Sequence, residues 1–340
     1  MDNRKYRCLA IDAQYFLMKH FSAYKSRSET EMNMVINYPE SVEGSYKVPG
    51  YTFDHKDIVQ SLVWSFAKIA REHVDCDRCI LLWDSSPYFK EKILPDFKGH
   101  RLRVTQEDLE LFDVESDPVG YLKLREQLRV EGVKSEAKYW AVSNLYKIGF
   151  PSIIQKGYEA DDLAYLFSEE VKNDDRKYII CSVDSDWKFW INENVDLYNP
   201  VKKKLITYDD VWNELGDKVK NIGLSLFEVK CYLDSLYNSH NNLKSTTKCR
   251  WKDFDKVVSK ILEGDYSLVD DVETFKKNME SFDIMSYPGA DDMKRLIRTT
   301  VDRPPLDDDT LISNFNSLKR DGLKITHRYY KENTLNYINR

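Results

Sequence analysis

Two kinds of hydrophobic pattern alternate along the first two thirds of the chain. Short apolar runs at 7–11 (RCLAI), 79–83 (CILLW), 151–155 (PSIIQ) and 177–183 (KYIICSV) have the length and composition of buried strands. Helical spacing recurs between them, at 58–72, 135–148 and 161–172. Continuous apolar runs suit strands covered on both faces, and strands alternating with helices predict a doubly wound parallel α/β domain, here over about residues 1–205. After about residue 207 the pattern turns helical, at 208–215, 224–237, 254–263, 269–281 and 308–319, punctuated by Pro288, Pro304 and Pro305. A mostly α-helical C-terminal domain over 206–340 is therefore expected, with no flexible linker before it.

The stretch from 97 to 133 breaks the pattern. It is too charged for a core, is interrupted at Asp117 and Pro118, and carries a polar helical segment at 119–130. An insertion of this kind, over about 99–133, is expected to stand off the domain as a flap or arch.

Composition changes this picture little. Hydrophobic residues make up 42% and charged residues 32%, as in ordinary globular proteins. No apolar run approaches the roughly 18 residues of a membrane span, and MDNRKYRCLAID lacks a signal-peptide core. The six cysteines lie mostly in or beside apolar runs, and Cys76 and Cys79 form a lone C-x-x-C without a second pair. Reduced thiols and a cytoplasmic location are expected. The net charge of −6, from 57 acidic and 51 basic residues, argues mildly against a nucleic-acid partner unless bound cations offset it.

The chemistry lies in what ends the strands. RCLAI ends in Asp12, CILLW in Asp84, and KYIICSV runs into Asp184 and Asp186. PSIIQ leads to Glu159, Asp161 and Asp162 at the start of a helix. Ligands of open parallel sheets bind beyond the carboxyl ends of the strands, so these carboxylates point at one crevice. Crowded like charges raise one another's pKa unless cations bind, and an all-oxygen set without histidine suits Mg2+ or Mn2+. Two such ions, about 3.5–4 Å apart, would activate water and stabilise the leaving oxygen of a phosphodiester. Taken singly, each residue has a plainer explanation. Asp12 could cap the next helix, Asp84 could sit in a turn, Glu159, Asp161 and Asp162 could complement a helix dipole, and Asp184 and Asp186 could form an Asx-turn. The conjunction of all four is harder to explain that way.

At these residues the chain resembles the 5′-nuclease (flap endonuclease) superfamily. YEADDLAYLF (158–167), CSVDSDWKFW (181–190) and LLWDSSPYFKEKILPDFKGHR (81–101) are similar to its three motifs, in the right order. The tail RPPLDDDTLISNFNSLKRDGL (303–323) resembles the ribonuclease H type of T-even phages. The resemblance implies a PIN-like, mixed-edge parallel sheet flanked by helices, with the charged insertion as a helical arch. It implies a metal-dependent 5′→3′ exonuclease or flap endonuclease acting on DNA or RNA–DNA in replication or repair, and leaving 5′-phosphates. Asp12, Asp84, Glu159 and Asp161 would form a first metal site, and Asp162, Asp184 and Asp186 would form or support a second. Lys98 and Arg101 would face the scissile phosphate, and Phe97 would stack on a base. The departure lies in LYNSHNNLKS (236–245), where Asn238 and Asn241 stand at aspartate positions of a degenerate helix–hairpin–helix, with His240 between them. Neutral amides imply a weakly held second ion and a weaker grip on duplex. A monomer is expected, with a sliding clamp or single-strand-binding protein left open as partner.

Two other readings compete. One is a catalytically weakened branched-DNA binder of the same family. The other is an aspartate-nucleophile phosphatase using Asp184 and Asp186 with a late G-A-D-D at 289–292.

Overall fold

The computed structural model describes residues 6–37, 40–72, 76–86, 88–95, 104–237 and 245–323. Strand β1 (Tyr6–Asp12) runs directly into α1 (Ala13–Ser28), followed by a hairpin of β2 (Glu29–Ile36) and β3 (Gly44–Tyr51) and by α2 (His55–Glu72). Strand β4 (Cys79–Leu82) leads to α3 (Tyr88–Ile93), α4 (Gln106–Glu110) and the long α5 (Pro118–Asn144). Then come β5 (Ser152–Ile153), α6 (Ala160–Val171), β6 (Lys177–Cys181), β7 (Val195–Asn199) and β8 (Lys204–Ile206). The later helices are α7 (Tyr208–Leu215), α8 (Asp217–Lys220), α9 (Leu226–Tyr237), α10 (Phe254–Leu262), α11 (Val272–Phe282), α12 (Ala290–Asp302) and α13 (Asp308–Arg320). Among the described residues no helix is long and apolar enough to cross a membrane.

The main sheet has the order β5-β4-β1-β6-β7-β8, parallel except for the edge strand β8. Strand β1 is central, pairing with β4 on one side and β6 on the other. Side chains alternate across the pleat, and both faces are covered. Cys8, Ala10, Ile80, Leu82, Tyr178 and Ile180 face α6 and the helices after residue 207. Leu9, Ile11, Cys79, Leu81, Ile179 and Cys181 face the layer that contains residues of α1, α2 and α5. Each fully buried aliphatic chain contributes about 1.5–3 kcal/mol, which is why 8–11, 79–82 and 179–181 are apolar up to the crevice.

The structure corrects the sequence reading in three places. The helical segments expected at 119–130 and 135–148 are one helix, α5, which runs through the exposed Gly132 and ends in a 3-10 turn at Leu145–Ile148. Burial of Val130, Ala137 and Ala141 supplies the packing that outweighs one glycine. The outer half of α5 does not stand alone. The β2–β3 hairpin, which the apolar pattern does not reveal, covers it through Ile36, Val48 and Leu122. Glu126 accepts the Tyr51 N–H at 2.9 Å, and Arg129 donates to the Tyr51 carbonyl at 2.7 Å. Helix α12 was also not foreseen. It carries Asp291 and Asp292 of the G-A-D-D segment in its exposed first turn, where Asp292 pairs with Arg295, so the segment does not follow a strand as the phosphatase reading needs.

Candidate metal centre at the strand ends

The parallel pairing of β4, β1 and β6 brings their carboxyl ends side by side. Asp12, the last residue of β1, is 7% exposed and uses its two oxygens differently. Oδ1 accepts the Tyr15 N–H at 2.9 Å and caps α1, while Oδ2 accepts the Ser182 hydroxyl at 2.7 Å. The capping role and the crevice role thus belong to one side chain. Ser182 lies just past β6, and its Oγ also accepts the Asp184 N–H at 3.1 Å, fixing the turn that presents Asp184.

Asp84 follows β4 and reaches α6, where Oδ1 accepts the Ala160 N–H at 2.8 Å. One of the unpaired N–H groups of the helix start is satisfied from a neighbouring strand, at the end whose dipole favours negative charge. The two loops are also joined by their backbones. The Ser85 N–H donates to the Tyr158 carbonyl at 2.9 Å, and the Gly157 N–H to the Ser86 carbonyl at 3.1 Å. Gly157 has φ +94°, and a Cβ there would lie 2.3 Å from the Phe89 ring. Phe89, Tyr158 and Tyr287 pack as a trio beneath this loop, with ring centroids 5.4–5.7 Å apart.

Asp161 accepts the indole N–H of the fully buried Trp187 at 2.7 Å. Asp184 is exposed and caps the 3-10 turn Ser185–Phe189 by accepting the Asp186 N–H at 2.9 Å. Burial pushes the Asp12 carboxyl up to about 7, the Tyr15 and Ser182 donors pull it down, and the charges of Asp84 and Asp184 push it up further. Asp161 is raised well above the ordinary carboxylate range by burial and by Glu159, Asp84 and Asp184. Asp12 and Asp161 therefore both feel the charges of Asp84 and Asp184. A hard cation suits this donor set, because it would relieve repulsion that hydrogen bonds only partly offset. The set is not a closed ligand shell: as the side chains stand, no three acidic, histidine or cysteine residues among the described residues are grouped to hold one ion.

The other three carboxylates carry lysines, which the sequence did not single out. The Lys90 ammonium, on a side chain 7% exposed, lies 3.0 Å from Glu159 and 2.7 Å from Asp162. Burial works against its charge, but Asp162 and Glu159 hold its pKa well above the usual lysine value. The second oxygen of Asp162, a residue only 1% exposed, accepts the Glu159 N–H at 2.9 Å in a reciprocal cap of α6. Both oxygens of Asp162 are thus engaged inside the protein. Asp186 pairs with Lys230 of α9 at 2.9 Å, and Lys230 pairs with Asp234 at 2.6 Å. Lys138 of α5 donates to the Asp84 carbonyl, tying the inner half of α5 to the crevice.

Lys90, Lys138, Lys230, Asp234, Ser182 and Trp187 are the site residues the sequence reading missed. Lys230 and Asp234 have i,i+4 spacing, but that signal is shared by any exposed helical pair. Phe97, Lys98 and Arg101 lie outside the described residues, as do Asn238, His240 and Asn241.

A model of the family described as 5′-3′ exonuclease, N-terminal resolvase-like domain, matches residues 7–216. The D15 protein of bacteriophage T5, co-crystallized with metal ions, superposes with a TM-score of 0.57 at 15% identity, over 87% of this chain and 100% of that one. The bacteriophage T5 D15 flap endonuclease in complex with DNA and metal ions gives 0.52 at 14% identity over the same shares. At these identities the likeness shows the fold. The family match spans more than half of the chain and takes in all seven carboxylates, and the chain belongs to the family of 5′-3′ exonucleases with a resolvase-like N-terminal domain.

Proposed function

We propose that this chain is a divalent-metal-dependent nuclease, a 5′→3′ exonuclease and flap endonuclease acting on DNA or RNA–DNA in replication or repair. The observation that carries the reading is the convergence of Asp12, Asp84, Asp161 and Asp184 beyond the ends of adjacent parallel strands, where the charges of Asp84 and Asp184 bear on both Asp12 and Asp161. These four would hold Mg2+ or Mn2+, with Glu159 at the edge of the set. A bound ion there would supply Lewis-acid stabilisation of a phosphodiester and lower the pKa of adjacent water.

The residues of the chain do the positioning. Ser182 and the Tyr15 N–H fix both oxygens of Asp12, the Ala160 N–H orients Asp84, and Trp187 orients Asp161. Lys98 and Arg101 would face the scissile phosphate, and Phe97 a base. The division into a catalytic part, 1–205, and a helical part, 206–340, is also proposed. The T5 flap endonuclease in complex with DNA and metal ions supports DNA as the substrate class.

Asp84→Asn and Asp184→Asn test the site. Each is expected to lower Mg2+-dependent cleavage on the order of a hundredfold or more, and full cleavage by either variant would remove that residue from the site. One observation favours the branched-DNA binder as a second reading: Lys90 and Lys230 already neutralise part of the acidic set. Tight binding to forked DNA without cleavage in Mg2+ or Mn2+ would select it.

A further inference from the structure

Away from the crevice, the segment 248–256 (KCRWKDFDK) combines cations with an exposed aromatic ring. Among the described residues two tryptophans are exposed, Trp64 at 42% and Trp251 at 47%. Trp251 sits between Arg250 and Lys252, whereas Trp64 sits between Val63 and Ser65. The Trp251 ring is held on its protein side, 4.9 Å from the Phe254 ring centroid and 6.4 Å from that of Tyr237. Its backbone is fixed as well. Trp251–Asp253 is a 3-10 turn in which the Asp253 N–H donates to the Arg250 carbonyl at 2.8 Å, and the same carbonyl accepts the Tyr237 hydroxyl at 3.5 Å. Arg250, Lys252 and Lys256 are exposed and make no ion pair among the described residues. By contrast Lys90, Lys188 and Lys230 are all paired with carboxylates. Covering Phe254, which is 1% exposed, accounts for the apolar ring but not for the unpaired cations around it.

Helix α9 relates this segment to the crevice. Lys230 pairs with Asp186 at 2.9 Å, and Tyr237, the last residue of the helix, packs edge-on against Trp251. The seven residues between them correspond to about 10 Å along the helix axis at a rise of about 1.5 Å each. That is roughly three nucleotides at about 3.4 Å each. Every base has a π face, so stacking on an aromatic ring tolerates any sequence, while cations beside the ring track the phosphates. We propose that the 248–256 segment holds an unpaired stretch of the nucleic-acid substrate, with Trp251 stacking on a base and Arg250, Lys252 and Lys256 taking the flanking phosphates. This inference rests on the nucleic-acid reading above and names a contact remote from the metal centre. Bases inside a duplex are already stacked on one another, so the contact favours single strand over duplex.

The test measures binding on the full chain with chelator present, by fluorescence anisotropy of a labelled oligothymidylate and of a blunt duplex of the same length. Trp251→Leu and Trp251→Phe both keep an apolar cover on Phe254, and only the second keeps an aromatic face. Trp251→Leu is expected to weaken single-strand binding at least about fivefold, and Trp251→Phe by no more than about twofold. Duplex binding is expected to change by less than about twofold in both variants. Arg250→Gln with Lys252→Gln leaves the ring in place and provides an independent reading: the dependence of log affinity on log salt should become shallower by about 1.4 on the single strand. Melting curves identify folded variants. Unchanged single-strand affinity in Trp251→Leu, equal weakening on single strand and duplex, or equal losses in the leucine and phenylalanine variants would each overturn the inference. A wild type that binds oligothymidylate through Trp251 yet cleaves no forked flap in Mg2+ would support the inference while counting against the nuclease reading. A wild type that cleaves the flap but binds no oligothymidylate would do the reverse, and neither binding nor cleavage would count against both.

Discussion

Replacing Lys90 by methionine isolates the most buried electrostatic element of the site. Methionine keeps most of the length and apolar stem, so little packing is lost. The ammonium is removed from between Glu159, whose side chain is 8% exposed, and Asp162, at 1%. Asp162, desolvated inside the protein, then loses the cation it pairs with. Breaking a buried pair from one side costs about 3–5 kcal/mol, because the remaining charge is uncompensated, whereas an exposed pair rarely exceeds about 1 kcal/mol. The larger figure applies here, since Asp162, only 1% exposed, pairs with Lys90 at 2.7 Å. Urea unfolding followed by tryptophan fluorescence is the assay, and the unfolding free energy of Lys90→Met is expected to fall by about 3–5 kcal/mol near neutral pH. Acid shrinks the loss, because the orphaned Asp162 carboxyl can take up a proton. Asp162→Asn added to Lys90→Met is expected to recover a substantial part of it, since one orphaned charge is gone. A loss under about 1 kcal/mol that does not vary with pH would refute the reasoning.

Other consequences follow from the same geometry. The Asp12 carboxyl, raised to about 7, retains its proton in the folded chain at pH values where the unfolded chain has already released it. Metal-free stability therefore falls as pH rises from about 4 towards 7, by up to ~4 kcal/mol from this group. Mg2+ should raise the melting temperature more at pH 7 than at pH 5, and equal shifts would contradict the assignment. Gly132→Ala fills open space in the middle of α5 and should stabilise the chain by about 0.5–1 kcal/mol in the same urea assay. Gly157→Ala, at φ +94° against the Phe89 ring, should instead cost about 2 kcal/mol or more, and a neutral result would mean the two loops are less closely joined than they stand here.

How much of this was legible in the sequence depended on whether a signal was local. Strands β1, β4 and β6 were readable because burial on both faces makes 8–11, 79–82 and 179–181 apolar, and their ends were readable because an aspartate interrupts each run. The β2–β3 hairpin was not, because only Ile36 in β2 and Val48 and Gly50 in β3 are buried, and the remaining positions look like loop. Its stability comes from α5, far along the chain. The two helical stretches at 119–130 and 135–148 are one helix because the packing of Val130, Ala137 and Ala141 carries it through Gly132. In the site, the acidic residues could be found by position, but their counter-charges could not. Lys90 and Lys230 belong to a chain with 51 basic residues, and nothing nearby in sequence marks these two as buried. Only the approach of α3 and α9 to the strand ends selects them. The plainer explanations of Asp12 as a helix cap and of Asp184 with Asp186 as an Asx-turn agree with the geometry, yet they do not exclude a place in the crevice, since a carboxylate has two oxygens.

The most direct measurement is cleavage of a 5′-labelled forked flap duplex by the full chain in Mg2+, in Mn2+ and with chelator. The account predicts short 5′ products in both metals and none with chelator. Tight binding of the fork with no cleavage in either metal would contradict it.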